Sequence, residues 1–530
     1  MGKGRWWLVE IGLVLAIFAV LVTRLPTIRH YLANNDHGYQ LAASAELLRG
    51  RIPGVDVFIN YGPLTVLLGA ITLHLSGGDL LVESLVCAAM WAFAIGLAFR
   101  FVRRNFGALA GAATALAAFL MVARFHKWFL WLMPLVILTT TDAATRMPAR
   151  RRWLYAGLVA GLASLLRPDV GVGALAAAGV IALIDALLFG GVGVVGAWGV
   201  LVIGYALPIL VWMVTIVAVS GGAGLASAVG VVPEMVGGTV ESLSLPPPPF
   251  DLDKPFSPGT AHALALRLLL ASELLAIGIG LWLARARLGG LAREARALVA
   301  LGIMGAASYH QTVYRADIHH FWLGCWPMAL AIPAIAAVAT QLVRARPASP
   351  LVPSTVVGIV ATVLVLLGTV GLRPIVTQPH FDLAPYGRPP LAGIRELRQG
   401  VAAAPDHPYA HFVAAIAGNS TPNDPVLMLA YQPQLFIFAE RPVSGPTVAF
   451  QAGLFDSPEW RRIRLADLQR DPPALVVVPG NFWTLAPEDD LRRSLPEIYE
   501  FVHTHYRTVV TRQGRVMLLA PDTGFRAPSS

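Results

Sequence analysis

From its first residues the chain alternates long apolar runs with short polar breaks, almost to residue 373. Runs able to cross a bilayer cover approximately 6–23, 80–99, 108–122, 128–143, 153–166, 171–189, 195–219, 263–284, 297–309, 321–343 and 354–372. About 20 apolar helical residues fill a hydrocarbon core, so the pattern predicts about eleven transmembrane helices. One further apolar stretch, 63–75, is too short for a comfortable span and predicts a re-entrant or surface helix on the outer side. From about Gln378 the chain turns more polar and its period changes. There DPVLMLAY reads as a strand, 457–469 as a helix, ALVVVPG as a buried strand, and TVVTRQGRVMLLAP as a hairpin about Gln513-Gly514. The expected fold is a mainly α polytopic membrane protein with a C-terminal soluble α/β domain. Its expected parts are a membrane domain over 1–375, with an outer first loop at 24–79, and a soluble domain over 376–530.

Composition agrees with this reading. The 530 residues are 56% hydrophobic and 13% charged, with a mean hydropathy of +0.63, against about 25% charged in soluble domains. A net charge of +9 would suit nucleic acid, but no basic stripe with interleaved aromatics is present, which argues against such a partner. The basic residues instead sit between apolar runs. With Lys3 and Arg5 placed in the cytoplasm, alternate loops receive Arg103 and Arg104; Arg146, Arg150, Arg151 and Arg152; Arg285, Arg287, Arg293 and Arg296; and Arg344 and Arg346. Every dense cluster then lies inside, as the positive-inside rule requires. This predicts a multi-pass membrane protein with a cytoplasmic N-terminus and a C-terminal domain on the outer side. The start resembles a signal sequence but TRLPTIRH offers no small-residue cleavage site, so it reads as an anchor. Cys87 and Cys325 both fall in apolar segments, which disfavours a disulfide framework or a cysteine metal site.

The same topology sends one set of polar groups to the outer face: Asp36, Asp56, Arg124-Phe-His126-Lys127, Arg167-Pro-Asp169 and Tyr314-Arg315-Ala-Asp317-Ile-His319-His320. Several flank short runs such as 153–166 and 297–309. Polar ends of short helices sink below the headgroups, which is tolerable only around a cavity or a polar ligand. Asp36 has two compatible readings, as the N-cap of the following helix and as a general base at a cavity mouth. Arg124 and Lys127 read singly as snorkelling cations, Arg167 as a partner of Asp169, and Arg315 as a partner of Asp317. Three such clusters on one face point to an anionic ligand, with phosphate the obvious candidate. A divalent metal is disfavoured: His37, His126, His310, His319 and His320 fall on this side, but no HExxH-type spacing exists. Glu273, in mid-membrane, is expected to find a partner on a neighbouring helix. No Walker A or GxSxG motif is present and no GxGxxG follows a predicted strand, so a transferred group would come from a lipid-borne donor.

Residues 34–64 carry a recognisable order: Asp36-His-Gly-Tyr39, Ala42 to Glu46, Leu48-Arg-Gly50, Pro53, Asp56 and Tyr61-Gly62-Pro63-Leu64. This order resembles the first outer loop of GT-C class membrane glycosyltransferases, the protein O-mannosyltransferase-like and aminoarabinose-transferase-like enzymes that use polyprenyl-phosphate sugars. The Leu166-Arg167-Pro168-Asp169 turn, the Arg315-Ala-Asp317-Ile-His319 segment and the DPVLMLAYQPQLFIFAERP tail are similar to bacterial members. The resemblance implies a GT-C-like fold in a bacterial inner membrane with a periplasmic C-terminal domain, and an inverting transfer from a polyprenyl-phosphate sugar to an acceptor hydroxyl of a glycan, lipid or protein. It implies Asp36 as the catalytic carboxylate. Arg167 and Arg315, then Lys127, His126 and His319, are the candidates for the donor phosphate; Asp56, Tyr39 and Tyr61 position the loop or the acceptor. A second acidic residue beside Asp36 is lacking, since Asn34, Asn35 and His37 surround it, so no metal role carries over. The alternative is a transporter or flippase for lipid-linked sugars, which should show polar groups opening to both sides or two matching halves.

Overall fold

The apolar runs fold as helices. The computed structural model describes residues 6–23, 35–78, 80–122, 125–142, 147–190, 193–243, 251, 253, 257–286, 289–313, 318–345, 410–429, 431–450, 457–479, 492–512 and 516–521. In chain order come α1 (Trp6–Thr23), α2 (Asn35–Leu48), α3 (Pro63–Ser76), α4 (Leu81–Phe106), α5 (Ala108–Leu120), α6 (Phe129–Thr141), α7 (Ala149–Leu166) and α8 (Pro168–Phe189). Then follow α9 (Val194–Leu243), α10 (Pro258–Arg285), α11 (Ala292–Ser308) and α12 (Trp326–Ala345). The tail contributes α13 (Ala410–Asn419), β1 (Val426–Met428), α14 (Gln434–Ala439), α15 (Pro458–Arg470), β2 (Leu475–Pro479), α16 (Pro496–His505), β3 (Tyr506–Arg512) and β4 (Val516–Pro521).

The outward side chains are those of a membrane protein: Leu109, Leu116, Val195, Ile203 and Val214 are each more than half exposed, which suits lipid rather than water as the solvent. Among the described residues, four helical stretches are long and apolar enough to cross a membrane: Val82–Phe106, Pro168–Phe189, Val194–Gly230 and His262–Arg285. Trp6–Val22, Pro63–Ser76, Ala108–Leu120, Phe129–Thr141 and Trp326–Leu342 are apolar but shorter. The run expected at 354–372 lies outside the described residues, so they do not complete the count of eleven. The run expected to end near 219 continues as α9 to Leu243, interrupted at Gly221 by φ 70° and ψ −176°. That backbone conformation is one that glycine adopts without a Cβ penalty.

The chain folds as two units. The first comprises Met1–Arg24, Ser84–Trp212 and Leu245–Pro390. Here α7 and α9 meet through small residues: a Cβ on Gly157 would lie 2.1 Å from the Leu201 carbonyl oxygen, and one on Gly161 2.4 Å from that of Tyr205. Such small-xxx-small faces let helix backbones approach closely where no hydrophobic effect drives them together. The arginine clusters share one end of this unit. Arg100 and Arg103 pair with Glu10, Arg296 pairs with Asp185 at 2.8 Å, and Arg293 donates to Asn105, whose amide reaches Asp142. The opposite ends of α7, α8 and α11 carry Arg167, Asp169 and, just beyond, His310 and Gln311. Glu273 departs from expectation. It is fully buried with neither carboxyl oxygen hydrogen-bonded among the described residues. Its side chain occupies the space over Gly305, where a Cβ would come within 2.9 Å of its Cγ. The missing side chain of a glycine, rather than a polar partner on the next helix, makes room for it.

The second unit comprises Leu25–Glu83, Met213–Ser244 and Leu391–Ser530. Its sheet has strand order β1-β2-β4-β3, with β1 parallel to β2 and the other pairs antiparallel. The β-branched run of β2 is central, as expected of a strand buried on both faces. Alternation along β1 and β2 builds two cores. Val426, Met428, Leu475 and Val477 pack with Tyr39, Ala42 and Ala43 of α2 and with Leu435 and Phe436 of α14. Leu427, Leu429, Val476 and Val478 pack with Leu468 of α15 and with Ile498, Phe501 and Val502 of α16. The first loop therefore shares a hydrophobic core with the tail. Gly38 permits this closeness, since a Cβ there would lie 2.5 Å from the Gln434 backbone nitrogen.

Candidate active site

Asp36 stands in the first turn of α2, one residue inside the assigned start rather than at the cap, where a negative charge is favoured by the helix dipole. Its carboxylate is half-buried and accepts from two phenols. Tyr431 donates to Oδ1 at 2.9 Å and Tyr61 to Oδ2 at 3.5 Å. Tyr61 opens the Tyr-Gly-Pro turn, in which Gly62 is extended, Pro63 begins α3, and the Thr65 hydroxyl donates to the Gly62 carbonyl. The Tyr39 hydroxyl donates to the Phe58 carbonyl at 3.0 Å, and its ring lies 6.3 Å from that of Tyr431. Tyr39 and Tyr431 are both buried. Burial pushes the Tyr431 phenol well above the ordinary tyrosine value, and the Asp36 carboxylate adds to the shift. Burial likewise raises Tyr39, while the Arg464 cation opposes it.

The rest of the loop is tied down by its own charges. Asp56 accepts the Ile52 N–H at 2.7 Å and closes a turn in which Gly54 takes φ +82°. Glu46, fully buried, accepts from Arg49 at 2.7 Å, Arg51 at 2.8 Å and the Val443 N–H at 3.1 Å. Arg51 in turn donates to the carbonyls of Val443, Gly445 and Asp56. His37 pairs with Glu83 at 2.9 Å, both buried. Among the described residues, no group of three or more His, Cys, Asp or Glu side chains could hold a metal ion.

The remaining candidates belong to the first unit or lie outside the described residues. Arg167 links α7 to α8 and donates from Nε to Asp169 at 2.9 Å. Asp169 also accepts from Gln311, and His310 Nε2 lies 3.3 Å from it. His310 Nδ1 meets the Ala307 carbonyl at 2.7 Å. A carbonyl only accepts, so that nitrogen carries a proton. His126 and Lys127 sit on a single 3-10 turn, Phe125–Lys127, only 4% and 2% exposed. Lys127 is thus enclosed by protein and does not snorkel to headgroups, and an enclosed ammonium is costly unless paired. Beside His310 and Gln311 lies an apolar cleft lined by Leu130, Val170, Ala174, Met304, Leu323 and Trp326. Arg315, Arg124 and the side chain of His319 lie outside the described residues.

Sequence reasoning missed Tyr431. It is 395 residues from Asp36 in a segment read only as a strand end. The one available signal was an aromatic hydroxyl closing the DPVLMLAY strand.

No family model matches the sequence, and no curated protein matches it. Among solved structures, ArnT from Cupriavidus metallidurans, an aminoarabinose transferase in the apo state, aligns over 100% of both chains with 18% identity and a TM-score of 0.52. The Archaeoglobus fulgidus oligosaccharyltransferase in the apo form aligns over 98% of this chain and 75% of its own, with 13% identity and a TM-score of 0.49. The same organism's AglB, in complex with an inhibitory peptide and a dolichol-phosphate, covers 99% of this chain and 75% of its own, with 12% identity and a TM-score of 0.48. The chain thus has the GT-C fold, the likeness to ArnT carrying that statement.

Proposed function

We propose that the chain is an inverting membrane glycosyltransferase that moves a sugar from a polyprenyl-phosphate donor to an acceptor hydroxyl at the periplasmic face of an inner membrane. Asp36 is the general base. It takes the acceptor's hydroxyl proton as that oxygen attacks the anomeric carbon. The carbon–oxygen bond to phosphate breaks, and the leaving polyprenyl phosphate keeps the electron pair. Phosphate leaves readily without a strong acid, so cations need only stabilise its growing charge. Arg167 and Arg315 do this, assisted by Lys127, His126 and His319. Asp56, Tyr39 and Tyr61 hold the catalytic loop. Placing the arginine-rich ends of the first unit in the cytoplasm turns the Arg167 end outward, by the positive-inside rule.

The observation that carries this reading is the bonding of Asp36. A half-buried carboxylate held by two phenols at a helix start is a base fixed in place for proton transfer. Asp36→Asn keeps the size and shape, removes the base, and should abolish transfer while the protein stays folded. The measurement is transfer of labelled sugar from synthetic polyprenyl-phosphate mannose or polyprenyl-phosphate aminoarabinose by the purified chain. Undiminished transfer would remove Asp36 from the mechanism. A transporter would instead move the lipid-linked sugar across vesicles without consuming it.

A further inference from the structure

We infer that Tyr431, contributed by the tail, is a positioning residue that sets the orientation of the Asp36 carboxylate; the inference rests on Asp36 being the base. The direction of the proton is fixed by what surrounds the phenol. Asn60 Nδ2 reaches the Tyr431 oxygen at 3.4 Å, and an amide N–H only donates. The phenol therefore accepts from Asn60 and gives its own proton to Asp36 Oδ1, 2.9 Å away. The ring has little freedom, being 4% exposed and packed against Tyr39, whose hydroxyl is itself tied to the Phe58 carbonyl. The segment carrying Tyr431 is anchored too. It lies between β1, paired in register with β2, and α14, where the Gln434 backbone abuts Gly38 two residues from Asp36.

An aspartate in the first turn of a helix can turn about two side-chain bonds. The shorter of its two phenol bonds, 2.9 Å to Oδ1 against 3.5 Å to Oδ2, selects one rotamer and so sets the direction of the carboxylate. Such aiming matters because an error of about 1 Å in a reacting group costs on the order of 100-fold in rate. Among the described residues, the charged or titratable groups about Asp36 include Tyr61 and Tyr431 on the carboxylate, Tyr39 behind them, the adjacent His37–Glu83 pair, and Arg464, whose charge reaches Tyr39. The local sequence of the tail offers only an aromatic hydroxyl at a strand end as a hint of this service. It makes the tail a part of the catalytic apparatus rather than an appended domain.

The test uses the full chain in lipid nanodiscs, with synthetic polyprenyl-phosphate mannose and polyprenyl-phosphate aminoarabinose as donors and membrane lipid extract as the acceptor pool. Tyr431→Phe should lower kcat by roughly 10- to 100-fold and leave KM for the donor unchanged. A base works only when deprotonated, and loss of a donor to its carboxylate raises its pKa. The acid limb of the pH profile should therefore move to higher pH, by on the order of one unit. Tyr506→Phe is the matched control. It removes a comparable phenol bond, to the Pro473 carbonyl at 2.9 Å, and should lower the thermal midpoint without moving kcat or the acid limb. Should Tyr431→Phe fail to fold, 3-fluorotyrosine at position 431 keeps the shape, donates more strongly and should move the acid limb to lower pH. An unmoved kcat and acid limb in Tyr431→Phe, or an unmoved limb in the fluorinated chain, overturns the inference while an inactive Asp36→Asn leaves the catalytic reading standing. Donor consumption that does not depend on Asp36 overturns both.

Discussion

Glu46 offers the sharpest test of how the first loop is held to the tail. Its carboxylate has no exposure and receives three donors: Arg49, Arg51 and the backbone N–H of Val443. Glu46→Ala strands that buried N–H, at a cost of about 1–3 kcal/mol. The two guanidinium groups are 34% and 27% exposed and regain water, so the lost ion pairs add only about 1 kcal/mol. The sum is roughly 2–4 kcal/mol of destabilisation. Glu46→Gln keeps an oxygen for the Val443 N–H and should lose about half as much. Pulse proteolysis in increasing urea, on chain embedded in nanodiscs, reads the stability of this unit directly. Because Glu46 follows Asp36 on the same helix, the alanine variant should also lose turnover. A Glu46→Ala chain within about 0.5 kcal/mol of wild type, the range of ordinary surface changes, would refute the view that this carboxylate joins loop to tail.

Two other outcomes follow from the geometry. Gly157→Leu, whose Cβ would collide with the Leu201 carbonyl, should abolish folded yield in detergent, whereas Gly199→Ala, with open space about it, should match wild type by size-exclusion chromatography. The Tyr431 phenol is raised by burial and by the Asp36 carboxylate, so its contribution to stability is complete below the ordinary tyrosine pKa of about 10. It is lost as pH climbs through the higher folded value. Tyr431→Phe should therefore flatten the alkaline fall in stability. It should leave the ultraviolet titration of tyrosines near pH 10 unchanged, and a smaller amplitude there would contradict the burial of that hydroxyl.

Much of the frame was legible in the residues alone. Helices at 6–23, 63–75 and 171–189, the strand at 475–479 and the helix after Ser457 follow from apolar period and from proline at helix starts, which are local properties. The Arg167–Asp169 pair was legible for the same reason, its members being two residues apart. Lys127, which taken singly read as a snorkelling cation, is enclosed, and Glu273, expected to have a partner on a neighbouring helix, has neither carboxyl oxygen hydrogen-bonded among the described residues and fills the space over Gly305. Both errors concern neighbours that only packing supplies.

The sequence by itself determined where the chain is helical and that lipid surrounds much of it, because both rest on composition and period within a few turns, while the resemblance of its first loop to GT-C enzymes pointed to the Asp36 carboxylate. Only the tertiary structure decided what holds that carboxylate. Tyr431 reaches Asp36 because alternate side chains of β1 and β2 share a core with α2, and the Val443 turn closes on Glu46. Contacts between residues hundreds of positions apart are selected by complementary burial, and no local pattern encodes them.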